Sequence, residues 1–360
     1  MQGIEAMRFN EPTPVQIKAI PCIMEGNDVM ACAQTGTGKT AAYILPLLNH
    51  LLGKSEEDKK ISALIIVPTR ELALQIDQQL EGFSYFINVN FISVYGGGDS
   101  LTWEQQKTAL VSGVDIVIAT PGRFTSHINL GYVDLSGLDF LILDEADRML
   151  DMGFYDDIIK IIESMPKKRQ NLMFSATMPA RIKKLARDIL VKPVHIDIEV
   201  AKPVDSALQA VYMLSEDQKL LKIMDLFQDK EVNSAIIFAA SKIRVKEIAI
   251  KLKALNLNVA AIHSDLEQKE REIVMRDFRN HKTRILVATD IVARGIDIED
   301  LELIINYDVP RDPEDYIHRI GRTARANKSG VALTFVSPRD EKDIKKIEHF
   351  LGYKIYKIPE

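Results

Sequence analysis

The chain has 360 residues, enough for two domains that each bury a full core. Its 46% hydrophobic and 27% charged residues are the balance of a globular protein, no apolar run approaches the ~20 residues of a membrane span, and no basic-then-apolar signal opens the chain, so a cytosolic, membrane-free protein is expected. The net charge is −5, with 19 Lys+Arg against 25 Asp+Glu in residues 1–200 and 27 against 26 in residues 201–360, so neither half is basic and any phosphate-binding surface must be local.

Short apolar runs alternate with longer helical patterns throughout. In the first half strands are expected near 28–32, 63–67, 91–95, 114–118, 140–143 and 171–174, with His195–Ile198 as a closing strand. In the second half they fall near 234–239, 259–262, 284–288, 302–306 and 331–336. Continuous runs such as Ala63-Leu64-Ile65-Ile66-Val67 suit strands covered on both faces, which is the habit of parallel sheets. The expectation is an α/β chain of two doubly wound parallel-sheet domains, residues 1–200 and 208–360, joined by a linker at 201–207 that contains Pro203. Gly53–Lys60 reads as a solvated loop, and the two cysteines, Cys22 and Cys32, as small buried hydrophobes.

Residues 33–40, AQTGTGKT, follow the apolar run Val29–Cys32 and precede a helical pattern over 40–52. That strand–loop–helix setting is what a phosphate-binding P-loop requires. Thr35, Gly36, Thr37 and Gly38 make the loop, whose backbone N–H groups turn onto phosphate oxygens. Lys39 reaches the terminal phosphates and Thr40 offers a hydroxyl to Mg²⁺. The first position of the general pattern is usually Gly and here is Ala33. A P-loop also needs an acidic metal anchor beyond a neighbouring strand, and Asp144-Glu145-Ala146-Asp147 follows Phe140–Leu143 directly. Asp144 suits Mg²⁺ and Glu145 the attacking water.

Further strings appear in order. They are Phe9–Gln16, Pro68-Thr69-Arg70-Glu71-Leu72-Ala73, Gly97-Gly98, Thr120-Pro121-Gly122-Arg123, Ser175-Ala176-Thr177, Thr289–Asp297 and His318–Arg325. With the acidic run, they resemble the DEAD-box RNA helicases over nearly the whole chain. The resemblance implies two tandem RecA-like domains, ATP and Mg²⁺ as ligands, and RNA-stimulated ATP hydrolysis with local duplex opening.

By that resemblance Gln16 reads adenine, with Asp297 near the ribose. Asp147, Ser175, Thr177 and His318 couple hydrolysis to strand separation, and His318 and Arg319 serve an inter-domain network. Arg322 and Arg325, one helical turn apart, act as arginine fingers on the γ-phosphate. RNA backbone contacts fall to Arg70, Gly97, Gly98, Thr120, Pro121, Gly122 and Arg123 in the first domain, and to Lys242, Gln268, Arg271, Thr289 and Gly295 in the second. The helix near 123–130 resembles the family's wedge, and a monomer is expected. Other readings of the residues stay open: an RNA clamp that unwinds little, a DNA translocase, or a small-molecule P-loop kinase. The last leaves residues 289–325 without an account.

Overall fold

Two seven-stranded sheets, parallel at every described ladder, carry the chain. The computed structural model describes residues 2–33, 36–53, 60–97, 100–198, 207–228, 232–289, 301–321, 323 and 330–359. It divides into one unit over Met1–Val200 and another over Ala201–Glu360.

The first unit holds β1 (Val29–Cys32), β2 (Ala63–Ile66), β3 (Phe91–Val94), β4 (Ile116–Ala119), β5 (Phe140–Leu143), β6 (Gln170–Ser175) and β7 (Val194–Asp197). They lie in the order β3-β4-β2-β5-β6-β1-β7. Successive strands of a parallel sheet need crossovers, which helices such as Lys39–Leu51, Arg70–Ser84 and Pro121–Asn129 supply. The central strands β2, β4 and β5 are buried at all four positions, while the edge strands β3 and β7 are half open. Alternation along each strand splits the core in two. Ala63, Ile65 and Val67 face one layer with Ile116 and Ile142, and Leu64 and Ile66 face the other with Val117 and Leu141.

The second unit holds β8 (Ala207–Met213), β9 (Ala235–Phe238), β10 (Val259–Ile262), β11 (Ile285–Ala288), β12 (Leu303–Asn306), β13 (Gly330–Val336) and β14 (Tyr356–Lys357). Their order is β10-β11-β9-β12-β13-β8-β14. Counted from the start of each unit, both orders read 3-4-2-5-6-1-7. The chain therefore carries one topology twice.

Two strands differ from the sequence expectation. β8 begins at Ala207, a residue assigned to the linker, and the rest of that linker lies outside the described residues. Its signal is weak because Leu208 is exposed and Gln209 interrupts the apolar pattern, yet it pairs with β13 over all seven residues. β14 is a two-residue edge strand with both residues exposed, too short to carry any period. Cys22 and Cys32 are half-buried rather than buried. Within the loop expected at Gly53–Lys60, residues 54–59 lie outside the described residues. No described helix is long and apolar enough to cross a membrane.

Candidate active site

Apart from Gln16, which lies ahead of β1 on the helix Pro14–Met24, the described site segments of the first unit follow the carboxyl ends of strands, the edge on which open parallel sheets bind ligands. The strand order sorts them into two halves. The P-loop, the acidic run and Ser175-Ala176-Thr177 follow β1, β5 and β6, which are contiguous in the sheet. The segments at Arg70, Gly97 and Thr120 follow β2, β3 and β4, which form the other contiguous half.

In the nucleotide half, Gly36 and Gly38 take φ of 80° and 87°, the left-handed region open to glycine. A Cβ at Gly38 would also stand 2.5 Å from Gln16 Nε2. Gln16 latches this turn: its Nε2 donates to Gly38 O at 3.1 Å, and its Oε1 accepts the Thr13 N–H at 2.9 Å. One amide N–H and one lone pair remain beyond these two bonds, enough for an adenine edge. Lys39 opens the helix Lys39–Leu51, is 5% exposed, and donates from Nζ to Ala33 O at 2.8 Å across the loop. Thr40 follows it, half-buried. Thr35 lies outside the described residues.

Asp144 stands directly after β5 and is 2% exposed. Its Oδ1 accepts the Glu145 N–H at 2.9 Å, and its Oδ2 accepts the Tyr43 hydroxyl at 2.9 Å. Burial pushes the Asp144 carboxyl up, against the pull of the Lys39 ammonium. Burial and the neighbouring Asp144 together hold the Tyr43 phenol well above its ordinary range, opposed by the Thr40 hydroxyl. Tyr43 had no place among the sequence candidates, although it lies four residues after Lys39 on the same helix face.

These groups fit a magnesium ion. The described residues contain no cluster of three His, Cys, Asp or Glu side chains. Mg²⁺ does not need one, because it takes most of its oxygens from phosphate and water and asks one or two groups of the protein.

Glu145 adopts φ 50° and ψ 50° as the residue before the helix Ala146–Asp151. A non-glycine residue there is strained, a cost that concentrates at functional positions. Its carboxylate is held by Arg148 Nη1 at 3.1 Å. Two residues on, Asp147 meets the segment after β6. Its Oδ2 accepts the Ala176 N–H (3.1 Å), the Thr177 N–H (2.9 Å) and the Thr177 hydroxyl (3.0 Å). Ser175 closes the set by accepting the Asp147 N–H at 3.3 Å and donating to Thr177 O at 2.7 Å. Asp147→Ala leaves three donors without that acceptor and is expected to cost about 1–3 kcal/mol, read as a lower urea midpoint with an unchanged slope.

In the other half, Thr69 caps the helix Arg70–Ser84, and the Arg70 guanidinium lies 4.7 Å over the Tyr95 ring. Gly97 has φ 86°. Thr120 and Pro121 start the helix Pro121–Asn129, the one compared with a wedge, and Gly122 is exposed on it. Arg123 is half-buried and engaged within the unit: Nε donates to Gln106 Oε1 at 2.9 Å, and the guanidinium lies 4.3 Å over Trp103. His127 stacks on Trp103 at 4.1 Å and hydrogen-bonds Tyr132. Burial, then Arg123, brings its pKa to about 4, so it stays neutral near pH 7. Gly98 lies outside the described residues.

The second unit repeats the division. Ser241-Lys242, His263-Ser264-Asp265 and Thr289 follow β9, β10 and β11, the counterparts of β2, β3 and β4. Asp265 bridges Lys242 (2.7 Å) and Lys246 (2.8 Å), which hold its carboxyl down at about 2. Arg271 Nη2 donates to Ser264 O at 2.9 Å, and Thr289 is half-buried. The counterpart of the P-loop, Leu214–Gln218 after β8, contains no glycine. Behind it Lys219 is fully buried, with Glu216 at 2.9 Å and Asp340 at 3.1 Å. Burial opposes ionisation of Glu216, but hydrogen bonds from Lys219 and Arg244 bring its pKa to about 2. Where the first unit opens a phosphate cradle, the second is filled by its own charges.

Arg319 was expected in an inter-domain network. It is 3% exposed and bonded inside its own unit, from Nη1 to Asn306 Oδ1 at 2.9 Å and Asp308 O at 3.0 Å. Gly295, Asp297, Arg322 and Arg325 lie outside the described residues, as do the side chains of Gln268 and His318.

The family model described as DEAD/DEAH box helicase matches residues 13–185, and that of the helicase conserved C-terminal domain matches residues 218–327. The chain is 39% identical over 364 residues to the DEAD-box ATP-dependent RNA helicase CshA of Bacillus subtilis, covering 100% of this chain and 72% of that one. It is 41% identical over 341 residues to ATP-dependent RNA helicase CshA of Listeria monocytogenes, covering 94% and 64%. Among solved structures it resembles S. cerevisiae Dbp5 bound to RNA and ADP BeF3, with a TM-score of 0.87, 30% identity, and coverage of 99% and 92%.

Proposed function

The chain belongs to the DEAD-box family of ATP-dependent RNA helicases, and we propose that it hydrolyses ATP to grip RNA and to open short duplexes locally, without long translocation. The observation that carries this reading is the division of one sheet edge. A phosphate and acid constellation occupies the ends of β1, β5 and β6, and exposed glycines with half-buried hydroxyl and arginine groups occupy the ends of β2, β3 and β4. Asp147 joins the acidic run to the segment after β6 through three hydrogen bonds, which gives the nucleotide half a rigid link.

In the reaction, water attacks the γ-phosphorus, the β–γ bridging bond breaks, and ADP and phosphate leave. Lys39 and the N–H groups at the start of its helix neutralise the terminal phosphates. Gln16 reads adenine with its remaining amide capacity, and Asp297 serves the ribose. Thr40 and Asp144 hold Mg²⁺, which when bound supplies charge neutralisation at the phosphate oxygens. Glu145 orients the attacking water and accepts its proton. Arg322 and Arg325 supply positive charge against the negative charge on the transferring phosphate and its leaving group, a contribution of roughly 10³–10⁵ in rate.

RNA is held by its backbone, so binding is independent of sequence. The contacts proposed are Arg70, Gly97, Gly98, Thr120, Pro121 and Gly122 in the first unit, and Lys242, Gln268, Arg271, Thr289 and Gly295 in the second. Arg123 shapes its loop through Gln106 and Trp103 besides any phosphate contact. RNA is preferred over DNA through the 2′-OH. The protein works in the cytosol as a monomer.

The test is steady-state ATPase rate alone, with single-stranded RNA, and with the DNA strand of the same sequence. RNA alone is expected to stimulate. Equal stimulation by DNA would favour a DNA translocase, and no stimulation by either would remove the coupling to nucleic acid.

A further inference from the structure

We infer that Tyr43 is a positioning residue for the metal-binding carboxylate of Asp144, linking the P-loop helix to the acidic run. The inference rests on Asp144 as the magnesium anchor.

Tyr43 is fully buried, and its ring packs against Phe174 with centroids 5.2 Å apart. Its hydroxyl donates to Asp144 Oδ2 at 2.9 Å, while Glu145 N–H donates to Oδ1 at 2.9 Å. The two donors come from different elements, the helix after β1 and the turn after β5, and each takes one oxygen. Together they set both the position and the rotation of the carboxylate plane. The same group needs them for a second reason, because a carboxylate at 2% exposure is costly unless its oxygens are hydrogen-bonded.

The helical spacing gives the link a direction. Lys39 and Tyr43 share one face of one helix. A shift of that helix that moves the ammonium on the terminal phosphates also moves the hydroxyl on Asp144. The phosphate-binding and metal-binding groups are thus in register through a single O–H. The competing account is that Tyr43 fills the core and its hydroxyl merely takes the nearest acceptor. Phenylalanine would then serve equally well, since the ring carries the packing.

Tyr43→Phe separates the two. It keeps the ring and removes one oxygen. The measurement is equilibrium binding of a fluorescent-labelled ADP to the full chain in excess EDTA and across a MgCl₂ titration, with a thermal melt of each protein. If Tyr43 positions Asp144, the EDTA affinity stays within about twofold, and the tightening conferred by Mg²⁺ falls about 10-fold, the scale on which groups behind a metal ligand act. The Mg²⁺ concentration for half-maximal ATPase rises in step. An unchanged Mg²⁺ titration overturns the inference, whether or not the melting temperature drops, because a packing role moves the melt and leaves the metal dependence alone. Asp144→Asn serves as the reference. If it too leaves Mg²⁺ tightening intact, the anchor assignment fails. If it abolishes the tightening while Tyr43→Phe does not, only the role of Tyr43 fails.

Discussion

Lys39→Ala is expected to yield a folded protein whose ATP turnover falls by at least about 10²–10³-fold, the usual result of removing a preorganised positive partner from developing phosphate charge. The fold survives because Lys39 donates to Ala33 O at 2.8 Å, and a lost hydrogen bond of this kind costs about 0.5–1.5 kcal/mol. The loop keeps its other ties, from Gln16 Nε2 to Gly38 O and from Ala33 N–H to Ser175 O. The loss is therefore chemical rather than structural. Phosphate release under saturating ATP and RNA, read beside a thermal melt, checks both halves of the claim. Lys39→Arg is a sharper control. It keeps the charge, but a guanidinium is wider than an ammonium and the site is only 5% exposed, so turnover is expected to stay low. Near-normal turnover in Lys39→Ala would remove the P-loop assignment.

The P-loop and the acidic run were legible because each is a local string at the end of one strand, and what such a turn can do depends on its own residues. The role of Tyr43 was not. Its partner Asp144 lies 101 residues away, and the pair meets only because β5, β6 and β1 are consecutive in the sheet. The four-residue step from Lys39 was visible, but a tyrosine on a helix facing a sheet is more often simply core. The arginines show the same limit. Sequence supplies the charge of Arg123 and Arg319 and leaves open what each faces. Trp103 and Gln106, from the helix Ser100–Ser112, capture one, and Asn306 with Asp308 capture the other. The doubled topology left little repeated sequence, since parallel sheets ask only for apolar runs and crossovers. Its trace is the Lys219 cluster, where buried charges stand in place of the glycines of the first unit's cradle.

Glu145→Gln is expected to bind ATP and RNA as the unsubstituted chain does, while hydrolysis slows by about 10²–10⁴-fold, the contribution of a positioned general base. The substitution is nearly isosteric. A Gln carbonyl oxygen still accepts the Arg148 bond seen at 3.1 Å, and the backbone at φ 50° bears the same Cβ, so neither strain nor packing changes. What disappears is the ability to take a proton from water. With binding intact and the exit step blocked, the ATP-bound complex accumulates on RNA. Retention of labelled RNA after a chase, together with single-turnover hydrolysis, reads this directly. The two outcomes assign the acidic residues separately. If the complex persists without turnover, Glu145 acts in the chemical step and Asp144 in binding. If Glu145→Gln turns over rapidly, the carboxylate that takes the proton is elsewhere, and the strain at this position serves to aim the Asp147 network, whose three hydrogen bonds begin two residues later.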